Sequence, residues 1–222
     1  MRRDLVDGAR EALVRVLDEG RRRGLLGPGP IEAQIDHAVA LGVAVGESEP
    51  GMALDLGTGG GIPGLVLALG FPRTRWVLLD SRGRSVAFVA EALGLLGLDA
   101  RVTVLEGRAE DVGRNPDHRA QYDLVVARGF GPPPVTAECA APLLRVGGRL
   151  IVSEPPGGDP DRWPSESLAQ LGLRVHRPDL HQQVAVAVLE QVELAPSTYP
   201  RRSGVPAKRP LFSVSRETPT GT

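Results

Sequence analysis

The sequence predicts an α/β fold: a doubly wound, mostly parallel sheet of seven strands with an N-terminal helical cap. Three observations predict it. Between Met52 and Val152, short apolar runs alternate with stretches of helical period, the pattern of βαβ units. A dense glycine cluster, Gly57, Gly59, Gly60 and Gly61, joins the first run to the first of these helices. Charged residues gather where the runs end, at Asp55, Asp80, Arg108 to Glu110, and Arg128. In a parallel sheet these positions share one edge, and ligands bind outside that edge.

The remainder of the chain is organised around Met52 to Leu69, MALDLGTGGGIPGLVLAL. Met52, Ala53, Leu54 and Asp55 end a buried strand. Ile62, Leu65, Val66 and Leu69 recur at helical spacing. Strand, glycine turn and helix bring backbone against a nucleotide-like ligand. Glycine admits positive φ and close approach, and the helix start offers free N–H groups. A dinucleotide fingerprint runs apolar into GxGxxG, and Asp55 departs from it. A phosphate loop needs Gly-Lys-Ser/Thr, which Ile62-Pro63-Gly64 does not supply.

Ahead of this stretch, Leu5, Ala9, Ala12, Leu13, Val16 and Leu17 make one apolar face, predicting a single helix from Asp4 to about Arg23. Arg21-Arg22-Arg23 closes it, as favourable charge at a helix C-terminus or as a phosphate contact. Gly27-Pro28-Gly29-Pro30 breaks the chain, and Ile31 to Val45 reads as a second helix. Residues 1–50 are therefore expected to form a cap, 51–195 the central domain, and 196–222 a basic arm and tail.

Beyond the glycine loop, Trp76 to Leu79 is the second strand and ends in Asp80, a carboxylate suited to the two hydroxyls of a ribose. Arg84 to Leu96 is a helix and Val102 to Leu105 the third strand. Gly107-Arg108-Ala109-Glu110-Asp111 follows as a polar turn at the edge that holds Asp80. Tyr122 to Ala127 is the fourth strand, with Arg128 at its end. Val135 to Leu144 reads as a helix, Gly147-Gly148 as a turn and Arg149 to Val152 as the fifth strand. Glu154 to Pro164 is a loop and Ser165 to Leu171 a short helix. Leu173 to Val175 and Val184 to Val192 make a closing hairpin. Tyr199 to Arg216 holds Arg201, Arg202, Lys208, Arg209 and Arg216 with no acidic residue. Pro200, Pro206 and Pro210 are expected to keep it extended, as a phosphate-contacting arm or a solvated tail.

With 222 residues, 41% of them hydrophobic, the chain can bury one α/β domain and a small appendage. A formal net charge of −1 excludes a generally basic coat for nucleic acid, so any RNA contact must come from a local patch. The single cysteine, Cys139, excludes an intrachain disulfide framework. No apolar run approaches the roughly 20 residues of a membrane span, and the N-terminus lacks a signal-peptide pattern. The expectation is a cytoplasmic monomer that uses neither metal nor membrane.

Asp-x-Gly-x-Gly-x-Gly resembles the first motif of the S-adenosylmethionine-dependent methyltransferases. Together, DLGTGGGIPGLVLAL, LLDSRGRSVAFV, GRAED, VVARGF and YPRRSGVPAKRPL resemble, in order, the bacterial glucose-inhibited division protein B family. Members of that family are 16S ribosomal RNA guanine-N7 methyltransferases. The resemblance spans roughly Leu25 to Leu211. It implies a Rossmann-like methyltransferase sheet, with the cofactor meeting Gly57 and Ile62 of the loop and Ala109 and Glu110 of the third turn. Asp55, Gly59, Gly61 and Asp80 complete the expected cofactor set, with Asp80 on the ribose. The resemblance also places Arg128 at both the cofactor and the catalytic centre, with Arg108 as a second pocket arginine. Arg201, Arg202, Lys208 and Arg209 are the expected RNA contacts, and the partner is 16S RNA or the small-subunit particle. The sequence departs from the family at four places. Ser153-Glu154-Pro155 stands where a lysine is usual, and an Asn-Leu-Thr segment is not evident. Asp36 precedes His37 in place of an arginine, and Gln182-Gln183 replaces an arginine near the last strand. Two readings therefore stand beside the ribosomal one. The first is a diverged methyltransferase with a non-ribosomal or small-molecule substrate, for which Glu154 would repel phosphate. The second is a non-catalytic module that binds an adenosyl ligand.

Overall fold

A computed structural model describes residues 1–46, 48–155, 160–176 and 185–213. The elements are, in chain order, α1 (Arg3–Gly8), α2 (Arg10–Arg22), α3 (Ile31–Ala44), β1 (Met52–Leu56), α4 (Gly64–Gly70), β2 (Arg75–Asp80), α5 (Gly83–Leu96), β3 (Val102–Glu106), α6 (Ala109–Val112), β4 (Tyr122–Ala127), α7 (Pro133–Ala140), β5 (Leu144–Ser153), α8 (Ser165–Ala169), β6 (Leu173–His176), β7 (Val186–Gln191) and α9 (Val205–Lys208). Val184, Gln182-Gln183 and Arg216 lie outside the described residues.

The seven strands lie in the order β3-β2-β1-β4-β5-β7-β6, and β7 runs antiparallel to both of its neighbours. The order reverses between β1 and β4, which opens a crevice at the carboxyl ends of these two strands. Asp55 pairs with Val126 across that boundary, so Gly57 and Arg128 emerge from adjacent strands at the same level.

Alternate residues of each strand face opposite layers, as a period of two requires. Leu54, Leu56, Val77, Leu79 and Val125 pack with α6, α7 and Trp163. Ala53, Leu78, Leu124 and Val126 pack with α4, α5 and the N-terminal helices. Leu13, Leu17, Ile35 and Leu41 of those helices are fully buried. Each such side chain contributes about 1.5–3 kcal/mol relative to exposure, which fixes the N-terminal segment firmly against the sheet.

Four local expectations are corrected. The N-terminal helix is two helices, interrupted at Ala9, whose N–H bonds back to Leu5 and Val6. Gly8 precedes the break and is a weak helix former. Ile62 belongs to the glycine turn, and α4 starts two residues later. Gly147-Gly148 is an irregularity inside a longer β5, because the pairing with β4 steps from Tyr122–Leu144 to Leu124–Arg149. Gly148 is required there, since a Cβ would stand 2.8 Å from the Tyr122 carbonyl oxygen. The basic arm is not wholly extended: Gly204, at φ +79°, turns it into the one-turn helix α9. Pro206 sits in the first turn of α9, where no hydrogen-bonded N–H is needed.

Candidate active site

The glycine turn is built from beneath. Gly57, Gly59 and Gly61 have φ of +77°, +58° and +93°, a region that side chains with a Cβ rarely enter. The N–H groups of Gly57 and Thr58 both donate to the Leu79 carbonyl at 2.9 Å, tying the turn to β2. Asp55 Oδ2 accepts the Gly64 N–H at 2.9 Å, so the start of α4 is satisfied from within the protein. Asp55 is completely buried, its Oδ1 makes no hydrogen bond, and burial pushes its pKa up to about 7. Expected as a cofactor contact, Asp55 instead lies under the turn and braces it.

Asp80 ends β2 with one oxygen on the Gly59 N–H at 2.8 Å and the other on the Arg82 N–H at 2.9 Å. The Arg82 guanidinium also pairs with it at 3.1 Å. Burial opposes ionisation of Asp80, but these donors outweigh it and hold the carboxyl below its ordinary range. Beside it opens a cavity of about 530 Å³, lined by Gly57, Asp80, Arg82, Arg108, Ala109, Glu110, Phe130 and Ala207, among others. That volume falls within the range of small-molecule sites. A Cβ on Gly57 would stand 2.7 Å from the Phe130 ring, so glycine is needed to keep this wall in place. The arrangement fits an adenosyl ligand: a strand-end carboxylate for a ribose, backbone close to the cavity, and an apolar ring on one side.

Glu110 is nearly fully buried at the cavity wall. Its Oε1 accepts the Gly204 N–H at 2.8 Å and the Arg108 guanidinium at 3.3 Å. Burial again opposes ionisation, and these donors keep the carboxyl below its usual range. The C-terminal arm thereby forms part of the cavity. Two further contacts hold it. The Arg201 backbone N–H and guanidinium donate to Glu138, fully buried on α7, at 2.6 to 2.9 Å. Arg119 donates to the carbonyls of Gly113, Ala195, Pro196 and Tyr199. Of the four expected RNA-contacting cations, Arg202, Lys208 and Arg209 are exposed, whereas Arg201 is committed to Glu138.

Arg128 stands across the crevice and is not among the residues that line this cavity. Its guanidinium donates to Gln34 Oε1 of α3 at 3.1 Å. One turn along α3, His37 Nε2 lies 2.8 Å from Ser153 Oγ at the end of β5. Burial, and then the charge of Arg128, lower the His37 pKa and so favour the neutral imidazole. Glu154 follows Ser153 with one oxygen 2.7 Å from Arg162 and the other 3.2 Å from the Trp163 indole nitrogen. The expectation that Glu154 repels phosphate is corrected, because an arginine beside it offsets its charge. Asp36 pairs with Arg10 at 2.6 Å. Arg21, Arg22 and Arg23 pair with Asp18, Glu19 and Glu91, as the helix-closing reading expects.

Sequence reasoning missed Gln34, Arg82, Phe130 and Glu138. A signal existed for Gln34: it is the polar residue in the buried stripe Ile31, Ile35, Ala38 and Leu41. Among the described residues no group of three or more metal-ligating side chains occurs, and no helix is long and apolar enough to cross a membrane.

Solved structures share the fold. Cofactor-bound Rv0187 from MTB superposes with a TM-score of 0.58 at 20% identity, covering 82% of this chain and 90% of that one. An O-methyltransferase from Bacillus cereus in complex with SAH also gives 0.58, at 16% identity over 81% and 89% of the two chains. Sequence similarity goes further. The relative named ribosomal RNA small subunit methyltransferase G of Symbiobacterium thermophilum is 39% identical over 82% of this chain and 80% of its own length. Its namesake in Deinococcus radiodurans is 40% identical over 74% and 67%. The family model GidB, described as rRNA small subunit methyltransferase G, matches residues 15–154. The chain belongs to this family of S-adenosylmethionine-dependent methyltransferases.

Proposed function

We propose that this chain transfers a methyl group from S-adenosylmethionine to N7 of a guanine in 16S ribosomal RNA, presented in the small-subunit particle. The observation that carries the reading is the register of β1 and β4, which brings Gly57, on the cavity wall, level with Arg128 across the crevice. When bound, S-adenosylmethionine supplies a methyl carbon on a sulfonium, and transfer to N7 leaves a thioether and a methylated, cationic guanine. Gly57, Gly59, Gly61 and Ile62 shape the backbone against the cofactor, Asp80 takes the ribose, and Ala109 and Glu110 form the far wall.

The demands on the protein are modest. N7 of guanine already carries a lone pair, so no general base is needed. A neutral His37, bonded to Ser153, is compatible with that economy. Alignment then supplies most of the rate, and well-oriented reactants can gain several kcal/mol, up to about 7–11 in ideal cases. Arg128 orients the guanine, since an arginine fork suits a guanine edge or a phosphate, and Arg108 lies across the cavity for the same kind of contact. The exposed Arg202, Lys208 and Arg209 contact phosphates. The small-molecule alternative drew on Glu154 and on the arginine replaced at Gln182-Gln183; the pairing of Glu154 with Arg162 removes the first motive, and the second falls outside the described residues. Incubation of the pure protein with labelled cofactor and small-subunit particles, followed by nucleoside analysis, tests the proposal. We expect 7-methylguanosine in 16S RNA; label in any other nucleoside, or none in RNA, would refute it.

A further inference from the structure

We infer that Gln34 is a positioning residue for Arg128, through which the N-terminal helices set the geometry of the reacting centre. The inference rests on the placement of Arg128 at that centre. Gln34 is 6% exposed, on a face of α3 otherwise filled by Ile31, Ile35, Ala38 and Leu41. A buried amide in an apolar stripe is unfavourable unless both of its ends are bonded. Both ends are: Oε1 accepts from Arg128 at 3.1 Å, and Nε2 donates to the Gly27 carbonyl at 3.3 Å. The chemistry fixes the amide's orientation. Reversed, its NH2 group would face a guanidinium that can only donate, and its oxygen would face a carbonyl that can only accept.

The Gly27 bond anchors Gln34 to the Gly27-Pro28-Gly29-Pro30 segment, where the chain turns back to enter α3. The Arg128 bond crosses 94 residues to the end of β4. Arginine has a long, flexible stem, and a strand end alone does not select its rotamer. An acceptor held by a rigid helix does, and it fixes which N–H groups remain directed at a substrate.

The test compares Gln34→Met, which keeps volume and removes both hydrogen bonds, with Gln34→Glu, which gives up the bond to Gly27 and keeps the acceptor for Arg128. Methyl transfer to small-subunit particles, cofactor affinity and thermal melting are measured on each, with Arg128→Met alongside. We expect Gln34→Met to lower kcat on the order of tenfold to a hundredfold, because small misplacements at an aligned centre cost that much. Cofactor affinity and melting temperature should stay close to those of the parent. Gln34→Glu should recover kcat to within about threefold of the parent, since the transition-state contact is restored. Parental kcat in Gln34→Met would overturn the inference, and so would an equal loss in both variants or a loss that merely tracks melting. If Arg128→Met keeps parental kcat, the placement of Arg128 fails and the inference falls with it. If only Gln34→Met is silent, the placement of Arg128 stands and the inference alone fails.

Discussion

The two halves of the site are assembled differently. On the cofactor half, the partners around the glycine turn are near in sequence: Asp80 and Arg82 are two residues apart, Asp55 and Gly64 nine, Gly59 and Asp80 twenty-one, and only the far wall, where Glu110 holds Gly204, joins residues 94 apart. On the substrate half they are distant: Arg201 and Glu138 are 63 apart, Gln34 and Arg128 94, His37 and Ser153 116. The glycine-turn side of the cofactor half is therefore a product of local turns at strand ends, and only its far wall waits for the C-terminal arm. The substrate half exists only once both ends of the chain have closed over the sheet.

The comparison breaks if the halves are not separable in function. Arg128→Ala should cut methyl transfer by about 10²- to 10³-fold, as loss of a charged orienting donor does, with cofactor affinity changed by no more than about threefold. Single-turnover assays and calorimetry on one preparation decide it. A matching fall in cofactor affinity would show that Arg128 serves both halves.

The next effect is on stability. Glu138 is fully buried and satisfied by Arg201, whose side chain is about one quarter exposed. Glu138→Gln should cost about 2–3 kcal/mol in denaturant unfolding, less than the loss from breaking a wholly buried pair. Because the arm supplies Gly204 to Glu110, cofactor binding should weaken too. A variant as stable as the parent would mean the arm is docked by Arg119 and the Gly204–Glu110 bond without help from Glu138.

These contacts explain which parts were legible in the sequence. Asp80, Ala109 and Glu110 could be placed because a strand end and the turn after it are read from a few consecutive residues. Arg128 was placed by the same rule. Its partner was not, because no local pattern in α3 indicates which strand end it will face. Arg201, Arg202, Lys208 and Arg209 look alike by composition. Only the fold shows that a buried glutamate 63 residues away removes Arg201 from the exposed set. Asp55 was located but misread. Its position before the glycines suggests a ligand contact, whereas the register buries it beneath them.

Asp80→Ala probes the cofactor half alone. Leaving ribose hydroxyls unpaired should weaken S-adenosylmethionine by about 1–3 kcal/mol, with RNA affinity unaltered. Calorimetry against cofactor and filter binding against RNA separate the two. On the other half, Arg202, Lys208 and Arg209 changed together to Ala should leave folding intact and flatten the dependence of log affinity on log salt by about 2–3, the slope of three lost phosphate contacts. An unchanged slope would assign the RNA surface elsewhere.

The smallest effect concerns Asp55, which belongs to the cofactor half but touches only its foundation. Its carboxyl is raised from the ordinary 3.8 to about 7, chiefly by burial. The folded state therefore binds this proton more tightly than the unfolded chain does. The stabilisation is complete below pH 3.8 and is lost as pH rises through about 7. His37 acts in the opposite direction: its pKa is lowered, so its contribution is lost as pH falls through the ordinary histidine range. Asp80 and Glu110, both lowered, titrate in a more acidic window. Asp55→Asn removes the Asp55 ionisation while its amide oxygen can still accept the Gly64 N–H, leaving the His37 trend alone. Between about pH 6 and pH 8 the variant should gain on the order of 1 kcal/mol relative to the parent. Urea unfolding across that range measures it. Parallel pH profiles would show that Asp55 is ionised throughout and that the glycine turn rests on a buried charge.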